Sequence, residues 1–222
     1  MVALHSLLHT VEETHKQLVA RLDTAAAMVN TPGQPRKGYE HTDTFLAAAS
    51  RHLNAVEEVL VPAVRKHVDE GSQLAHGYVR TSKHLEVALA NAKAREYGSA
   101  YAIRRSWDDV WGEVRGELEM QARWEAEMVG QLSEELEVGE LDDLATELHR
   151  AELAAPTRPH PYAPHLGVRG KVARRVLHAV DSFWDAAEGR MIPEPVRPPH
   201  KAPGLFVQYL LADPRFDEEE SV

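Results

Sequence analysis

Apolar residues recur along the chain at alternating steps of three and four, which is the period of helices that pack into bundles. Four long segments show this period: about Val2–Val29, Thr42–Val68, Leu74–Glu96 and Tyr101–Glu137. A Pro/Gly-rich loop at 30–35 and short polar turns separate them. Because the helices are similar in length and the connections are short, the pattern favours an all-α, antiparallel up-down four-helix bundle.

The rest of the chain alternates short helical segments with proline-rich stretches. In chain order the pattern predicts a short helix, a strap, a further helix and a second strap: Leu141–Leu153, Ala155–His165, Val168–Glu188 and Pro193–Pro203. The straps contain too much proline for helix and are predicted to be extended. We therefore divide the chain into a bundle, a proline-rich linker, and a C-terminal helical extension with an acidic tail: 1–153, 154–167 and 168–222.

Two finer expectations concern packing. Gly112, Gly116 and Gly130 lower the helix propensity of the fourth segment, which suggests close approach by a strap or by the later helix. On that later helix His178 and Asp181 are three residues apart, a spacing that allows them to pair locally.

Polar residues interrupt the apolar seams at similar heights. His15, His52 and His84 lie near the midpoints of the first three helices, and Gln121 and Glu125 lie near that of the fourth. Midpoints meet in an antiparallel bundle, so we expect these side chains to converge in one layer. Imidazole and carboxylate are ligands that suit iron, zinc, copper or nickel. The layer therefore predicts a metal site.

Composition narrows the function further. The 222 residues include no cysteine, which excludes disulfides, thiolate ligands and cysteine nucleophiles, and the net charge of −10 argues against a nucleic-acid surface. No basic leader and no apolar run near the roughly 20 residues of a membrane span is present. We expect a cytoplasmic protein with neither nucleic acid nor membrane as partner. The sequence contains no phosphate loop or nucleophile elbow, which disfavours an enzyme.

The second helix carries HLNAVEEVLVP from His52 to Pro62, in which a histidine precedes a Glu-Glu pair and a proline. With the histidines of helices one and three and the glutamate of helix four, this pattern resembles the hemerythrin-like, or HHE cation-binding, family over about residues 4–135. The resemblance implies a four-helix bundle that binds non-heme iron, often as a pair, and handles oxygen, nitric oxide or redox chemistry. Carried over position by position, it implies the ligands His15, His52, His84 and Glu125.

Two positions depart from that pattern. Val56 stands where a glutamate four residues after His52 is expected, and Gln121 stands where the fourth helix is expected to carry a histidine. A coupled iron pair needs several anionic ligands, and Glu125 is the one retained carboxylate. We therefore expect a single divalent ion, non-heme iron or zinc, with one position open to water or a small ligand.

Glu57 offers a way to recover a second carboxylate. In a regular α-helix it points about 100° away from the direction of Val56. A π-bulge around Asn54 would turn it into the site, and such bulges recur at functional positions. Regular helical bonding through this stretch would exclude that alternative.

Three functions stay open at this point. The first is a reduced, mononuclear metal site that binds or senses oxygen, nitric oxide or oxidants. The second is a metal-free scaffold with a buried hydrogen-bond network of His15, His52, Gln121 and Glu125, which contacts a second copy or a protein partner through the C-terminal helix. The third is a pocket for a small organic ligand, opened by the smaller side chain of Val56.

Overall fold

The chain is all-α over the described part. The computed structural model describes these residues: 6–28, 38–96, 104–160, 173, 176–182, 185 and 192–199. They include no strand, a helical stretch at 176–182, and five helices with defined bounds: α1 Ser6–Ala27, α2 Tyr39–His67, α3 Gly71–Glu96, α4 Trp107–Glu135 and α5 Val138–Leu153. The predicted all-α class is confirmed. No described helix combines the length and the apolar composition that a membrane span requires.

Two apolar clusters fill the space between the helices. The first cluster contains Leu7 from the beginning of α1 together with Val64 and Leu132 from the ends of α2 and α4. The second contains Leu22 from the end of α1 and Phe45 from the beginning of α2. All five side chains are fully buried, and burial of each contributes about 1.5–3 kcal/mol. In each cluster, the beginning of one helix therefore lies with the end of a helix next to it in the chain.

The short helix α5 packs on this core. Three residues at steps of four and three are buried in the first cluster: Leu141, Ala145 and Leu148. Its neighbours are mainly α2 and α1. The helix predicted at Leu141–Leu153 is confirmed, and it begins three residues earlier, at Val138. Its last turn brings Glu152 against α2.

The fourth helix is shorter than predicted at its beginning. The Ser106 hydroxyl accepts a hydrogen bond from the Asp109 backbone N–H at 3.0 Å, which caps the first turn of α4. Two aspartates in that turn complement the positive end of the helix dipole. The helix therefore begins at Trp107, while the predicted start at Tyr101 lies outside the described residues.

The first strap is fastened to the later helical segment, 176–182. The backbone N–H groups of Thr157 and Arg158 donate to the Asp181 carboxylate at 2.9 and 3.0 Å. The His178 Nδ1 atom lies 3.0 Å from the Ala155 carbonyl oxygen. The predicted local pair of His178 and Asp181 is therefore wrong, because both side chains bond to the strap instead.

Helical structure at 176–182 agrees with the predicted later helix, and the described parts of both straps, 155–160 and 192–199, contain no helix or strand. Several predicted features lie outside the described residues: Phe183, the strap ends at 161–165 and 200–203, the apolar stretch Leu205–Leu211 and the acidic tail.

Close backbone approach occurs on α3 and not on α4. Within the described part of the chain, a Cβ atom added at Gly112, Gly116 or Gly130 would meet nothing within 4 Å. No described residue makes the predicted approach to these glycines, and most of the strap and helix from which it was expected lies outside the described residues. At Gly77 an added Cβ would lie 2.3 Å from the Trp124 indole ring, so α3 and α4 pack tightly at this point.

We expect Gly77→Ala to destabilise the protein by about 1–3 kcal/mol, because the new methyl group overlaps the Trp124 ring. The matched control is Gly130→Ala on the facing helix, where the space is open. That change is expected to stabilise by about 0.5–1 kcal/mol through helix propensity alone. Urea unfolding of both variants measures the difference. Equal effects at the two positions would contradict the described packing.

Candidate metal centre

A layer of buried polar side chains lies where the two apolar clusters meet. His15, His52, Gln121 and Glu125 each lie between residues of the first cluster and residues of the second along their own helices. Tyr78 of α3 reaches the same layer from the edge of the first cluster. Gln121, Glu125 and Tyr78 have no solvent exposure. The layer therefore draws side chains from α1, α2, α3 and α4.

One carboxylate oxygen joins the two imidazoles. The Oε2 atom of Glu125 lies 3.0 Å from Nε2 of His15 and 2.8 Å from Nε2 of His52. The two rings stand nearly perpendicular, at 88°, with centroids 5.2 Å apart. One ligand atom from each of the three residues can be chosen so that all lie within 4.8 Å of one another. The structure thus brings together His15, His52 and Glu125.

The other nitrogen of His52 bonds to a second carboxylate. Its Nδ1 atom lies 2.6 Å from Oε1 of Glu152, and both side chains are buried. Sequence reasoning missed Glu152 because α5 was not expected to line the site. The signal was present: Glu152 continues the buried line of Ala145 and Leu148, so a carboxylate ends an otherwise apolar helix face.

Tyr78 completes the hydrogen bonds of the central carboxylate. Its hydroxyl donates to Oε1 of Glu125 at 3.4 Å. Burial, together with the charges of Glu125 and Glu57, raises the pKa of Tyr78 well above its usual value. The hydroxyl therefore stays protonated and remains a donor. The sequence did not lead us to predict Tyr78 as part of this layer.

The interactions of His52 and Glu125 with their partners outweigh the cost of burying their charges. Burial alone would lower the pKa of His52, but the charge and hydrogen bond of Glu125, with those of Glu152, raise it to about 10. Burial alone would raise the pKa of Glu125, but His52 and His15 hold it well below its usual range. In the metal-free protein at neutral pH, His52 is therefore an imidazolium that donates to a carboxylate at each end.

His84 does not join the group. Its side chain is exposed on α3, because the adjacent Leu85 occupies the inward-facing position. The expected convergence of four ligands is thus corrected to three, with Tyr78 as the contribution of α3 to the layer. Gln121 is fully buried and lies close enough to the Tyr78 hydroxyl to act on its pKa through a hydrogen-bonding contact, but neither polar atom of its side chain has a partner of regular hydrogen-bond geometry among the described residues.

Val56 and Glu57 also have defined places. The helix α2 is α-helical throughout 52–58, which excludes the π-bulge alternative, and Glu57 stays outside the three-residue group. Glu57 is buried close enough to Tyr78 for its charge to act on that hydroxyl. Val56 has no solvent exposure and packs in the first cluster, so it fills core space at the position where the third alternative would place a ligand pocket.

The three side chains could hold a metal ion. Adjacent ligands of an octahedral ion with bonds of about 2.1 Å lie about 3 Å apart, close to the two distances from the Glu125 oxygen. Two imidazoles and one carboxylate form a donor set typical of non-heme iron, and zinc accepts the same atoms. The buried Nδ1 atom of His15 has no hydrogen-bond partner among the described residues.

Neither a protein-family model, nor a curated protein, nor a solved structure matches this chain. The resemblance to hemerythrin-like proteins therefore stays a prediction from the residues that carry it.

We expect the unfolding free energy of the metal-free protein to fall by a few kcal/mol as pH rises from about 6.5 to 10. The raised pKa of His52 gives stability that is complete below the unfolded value of about 6.5 and is lost as the imidazolium deprotonates. The depressed pKa of Glu125 acts in the opposite direction, so stability also falls below about pH 4.5.

Urea unfolding across this pH range, repeated with His52→Gln, measures the effect. The variant cannot carry the positive charge, so its alkaline slope should be much smaller than that of the wild type. Identical alkaline slopes in the two proteins would contradict the assignment of the charge to His52.

Proposed function

We propose that this protein is a hemerythrin-like four-helix bundle that binds one divalent ion, non-heme iron or zinc, through His15, His52 and Glu125. The ion would serve to bind or sense oxygen, nitric oxide or an oxidant. The observation that carries the proposal is the Glu125 oxygen placed 3.0 Å or less from both imidazole nitrogens in a buried layer.

The arrangement of the helices supports the bundle. Each apolar cluster unites the beginning of one helix with the end of the next, from α1 to α4, which is the order that an up-down bundle requires. In such bundles, ligand side chains project inward from facing helices at mid-height. His15, His52 and Glu125 come from three of the four helices and meet between the clusters.

The layer also supports a single ion. Glu125 is the one carboxylate in the three-residue group, and the position one turn after His52 is occupied by the buried Val56. Glu57 lies outside the group. One carboxylate offsets one unit of charge, which suits one divalent ion much better than a coupled pair.

A bound divalent iron would supply coordination positions at which a small ligand or an oxidant can react. Three features of the chain suit such an ion: an ionised carboxylate, a hydrogen bond that orients this carboxylate, and apolar surroundings. Glu125 is already ionised, and the Tyr78 hydroxyl binds its Oε1 atom, which leaves Oε2 directed toward the imidazoles. His52 must release the proton on Nε2 before that nitrogen can act as a ligand. The apolar clusters on both sides limit the access of water.

A metal-free scaffold is the second candidate, and one observation favours it. Both nitrogens of His52 already lie within hydrogen-bond distance of carboxylates, so the layer balances part of its charge without an ion. In this case the exposed Val176 and Val180 on the helical segment 176–182 would contact a partner or a second copy. The two candidates differ in whether an ion displaces the proton on Nε2.

Purified protein reconstituted with iron(II) or zinc is expected to contain about one ion per chain, and His52→Ala is expected to contain none. The matched control is His84→Ala, which removes an exposed histidine outside the group and should leave the stoichiometry unchanged. Elemental analysis after desalting measures all three. A wild type without metal, or equal losses in the two variants, would refute the proposed site.

Binding of zinc at this site should release about one proton per ion at pH 7.5, because the raised pKa of His52 keeps its Nε2 nitrogen protonated until the ion replaces the proton. Calorimetric titration in buffers of different ionisation enthalpy counts that proton. Surface histidines with a pKa of about 6.5 are mostly neutral at this pH and release far less. Binding without proton release would place the ion elsewhere.

A further inference from the structure

The geometry points to Glu152 as the positioning residue of this centre: its carboxylate holds the His52 imidazole so that Nε2 faces the proposed ion. The inference rests on the proposed function and extends it to a residue on α5. Glu152 itself touches no ligand position, because His52 lies between its carboxylate and Glu125.

The contact between Glu152 and His52 is short and protected from solvent. Oε1 of Glu152 lies 2.6 Å from Nδ1 of His52, and the two side chains are 3% and 2% exposed. A carboxylate in such a place loses its hydration, so its position is stable only with a strong partner. Hydrogen bonds between ionised groups are the strongest that a protein offers.

The bond fixes which nitrogen is available as a ligand. An imidazole can bind an ion through either nitrogen, and the nitrogen that donates a hydrogen bond elsewhere leaves the other one free to coordinate. Because Nδ1 of His52 donates to Glu152, Nε2 is the nitrogen directed at Glu125. Ligating histidines in proteins very often donate their second N–H to a carboxylate in this way, which also makes the imidazole a stronger ligand.

Arg51 holds the end of α5 where this bond requires it. Its Nε donates to the Glu152 backbone carbonyl at 2.7 Å, and its Nη1 donates to the Pro193 carbonyl at 2.8 Å. Two consecutive residues of α2 thus bind the backbone and the side chain of Glu152. A residue that served only to fill the core would not need this support.

The two histidines of the centre are held differently. The Nδ1 atom of His15 is buried without a hydrogen-bond partner among the described residues, whereas that of His52 has Glu152. His52 is therefore the oriented ligand, and His15 depends on Glu125 and its packing. Loss of Glu152 should act on the centre through His52 alone.

Zinc affinity of the full chain, measured by competition with a chromophoric chelator, tests the inference. Glu152→Met keeps the length and volume of the side chain but removes the acceptor, so we expect about 10–100-fold weaker binding. Glu152→Gln keeps an acceptor oxygen and should lose less. The matched control Glu147→Ala removes an exposed glutamate from the same helix and should bind as the wild type does. Wild-type affinity in Glu152→Met would overturn the inference.

An NMR spectrum that resolves the ring nitrogens of His52 distinguishes a positioning role of Glu152 from a contribution to stability alone. The Nδ1–H signal should be protected from exchange in the wild type, with or without zinc, and lost in folded Glu152→Met. In Glu152→Gln it should persist but move upfield, because the neutral acceptor bonds more weakly; an unchanged signal there would overturn the inference even if Glu152→Met failed to fold. A protected Nδ1–H in a wild type that binds no zinc would instead refute the proposed function and leave the Glu152 bond in place.

Discussion

The buried carboxylate of Glu125 is the constraint on which the rest of the structure depends. A lone carboxylate in an apolar core is costly enough to prevent folding, so its partners must arrive together. They come from different helices: His15 from α1, His52 from α2 and Tyr78 from α3. Each hydrogen bond fixes the height and the rotation of one helix relative to α4. The polar layer thus specifies the register that the apolar clusters alone would leave open.

The same layer can hold a proton or a metal ion, and charge explains why. Without an ion, the imidazolium of His52 lies between the carboxylates of Glu125 and Glu152 and compensates them in part. In the proposed centre a divalent ion would replace the proton on Nε2 and face the same two negative charges with twice the positive charge. The proton and the ion would compete for Nε2 of His52. The negative charges of the two carboxylates stabilise either of them. The outer carboxylate, held by α5, would therefore be part of the proposed centre.

The periodicity of the sequence predicted those features that depend on a single helix. The seams gave the all-α class, the helix positions to within a few residues, and the inward direction of His15, His52 and Glu125. Matching the midpoints of the helices predicted how high along the helices each side chain lies, but not whether it faces the core. His84 has the right height, but Leu85 takes the inward position beside it.

Residues whose roles depend on the packing of separate elements could not be predicted in the same way. The place of Glu152 on the buried face of α5 could be inferred from the sequence, but its contact with His52 could not, because that contact depends on the packing of α5 on α2. The Tyr78 hydroxyl likewise has a role only because of the position of Glu125 on α4. Gly77 allows the close approach that we had expected of the α4 glycines, because the large Trp124 ring faces it from α4.

Crystals of protein reconstituted with zinc, measured at wavelengths on both sides of the zinc absorption edge, test the central claim most directly. The proposal predicts one strong anomalous peak, within about 2.0–2.2 Å of Nε2 of His15, Nε2 of His52 and a carboxylate oxygen of Glu125. The absence of a peak at this place, with the Glu125 oxygen still hydrogen-bonded to both imidazoles, would contradict it.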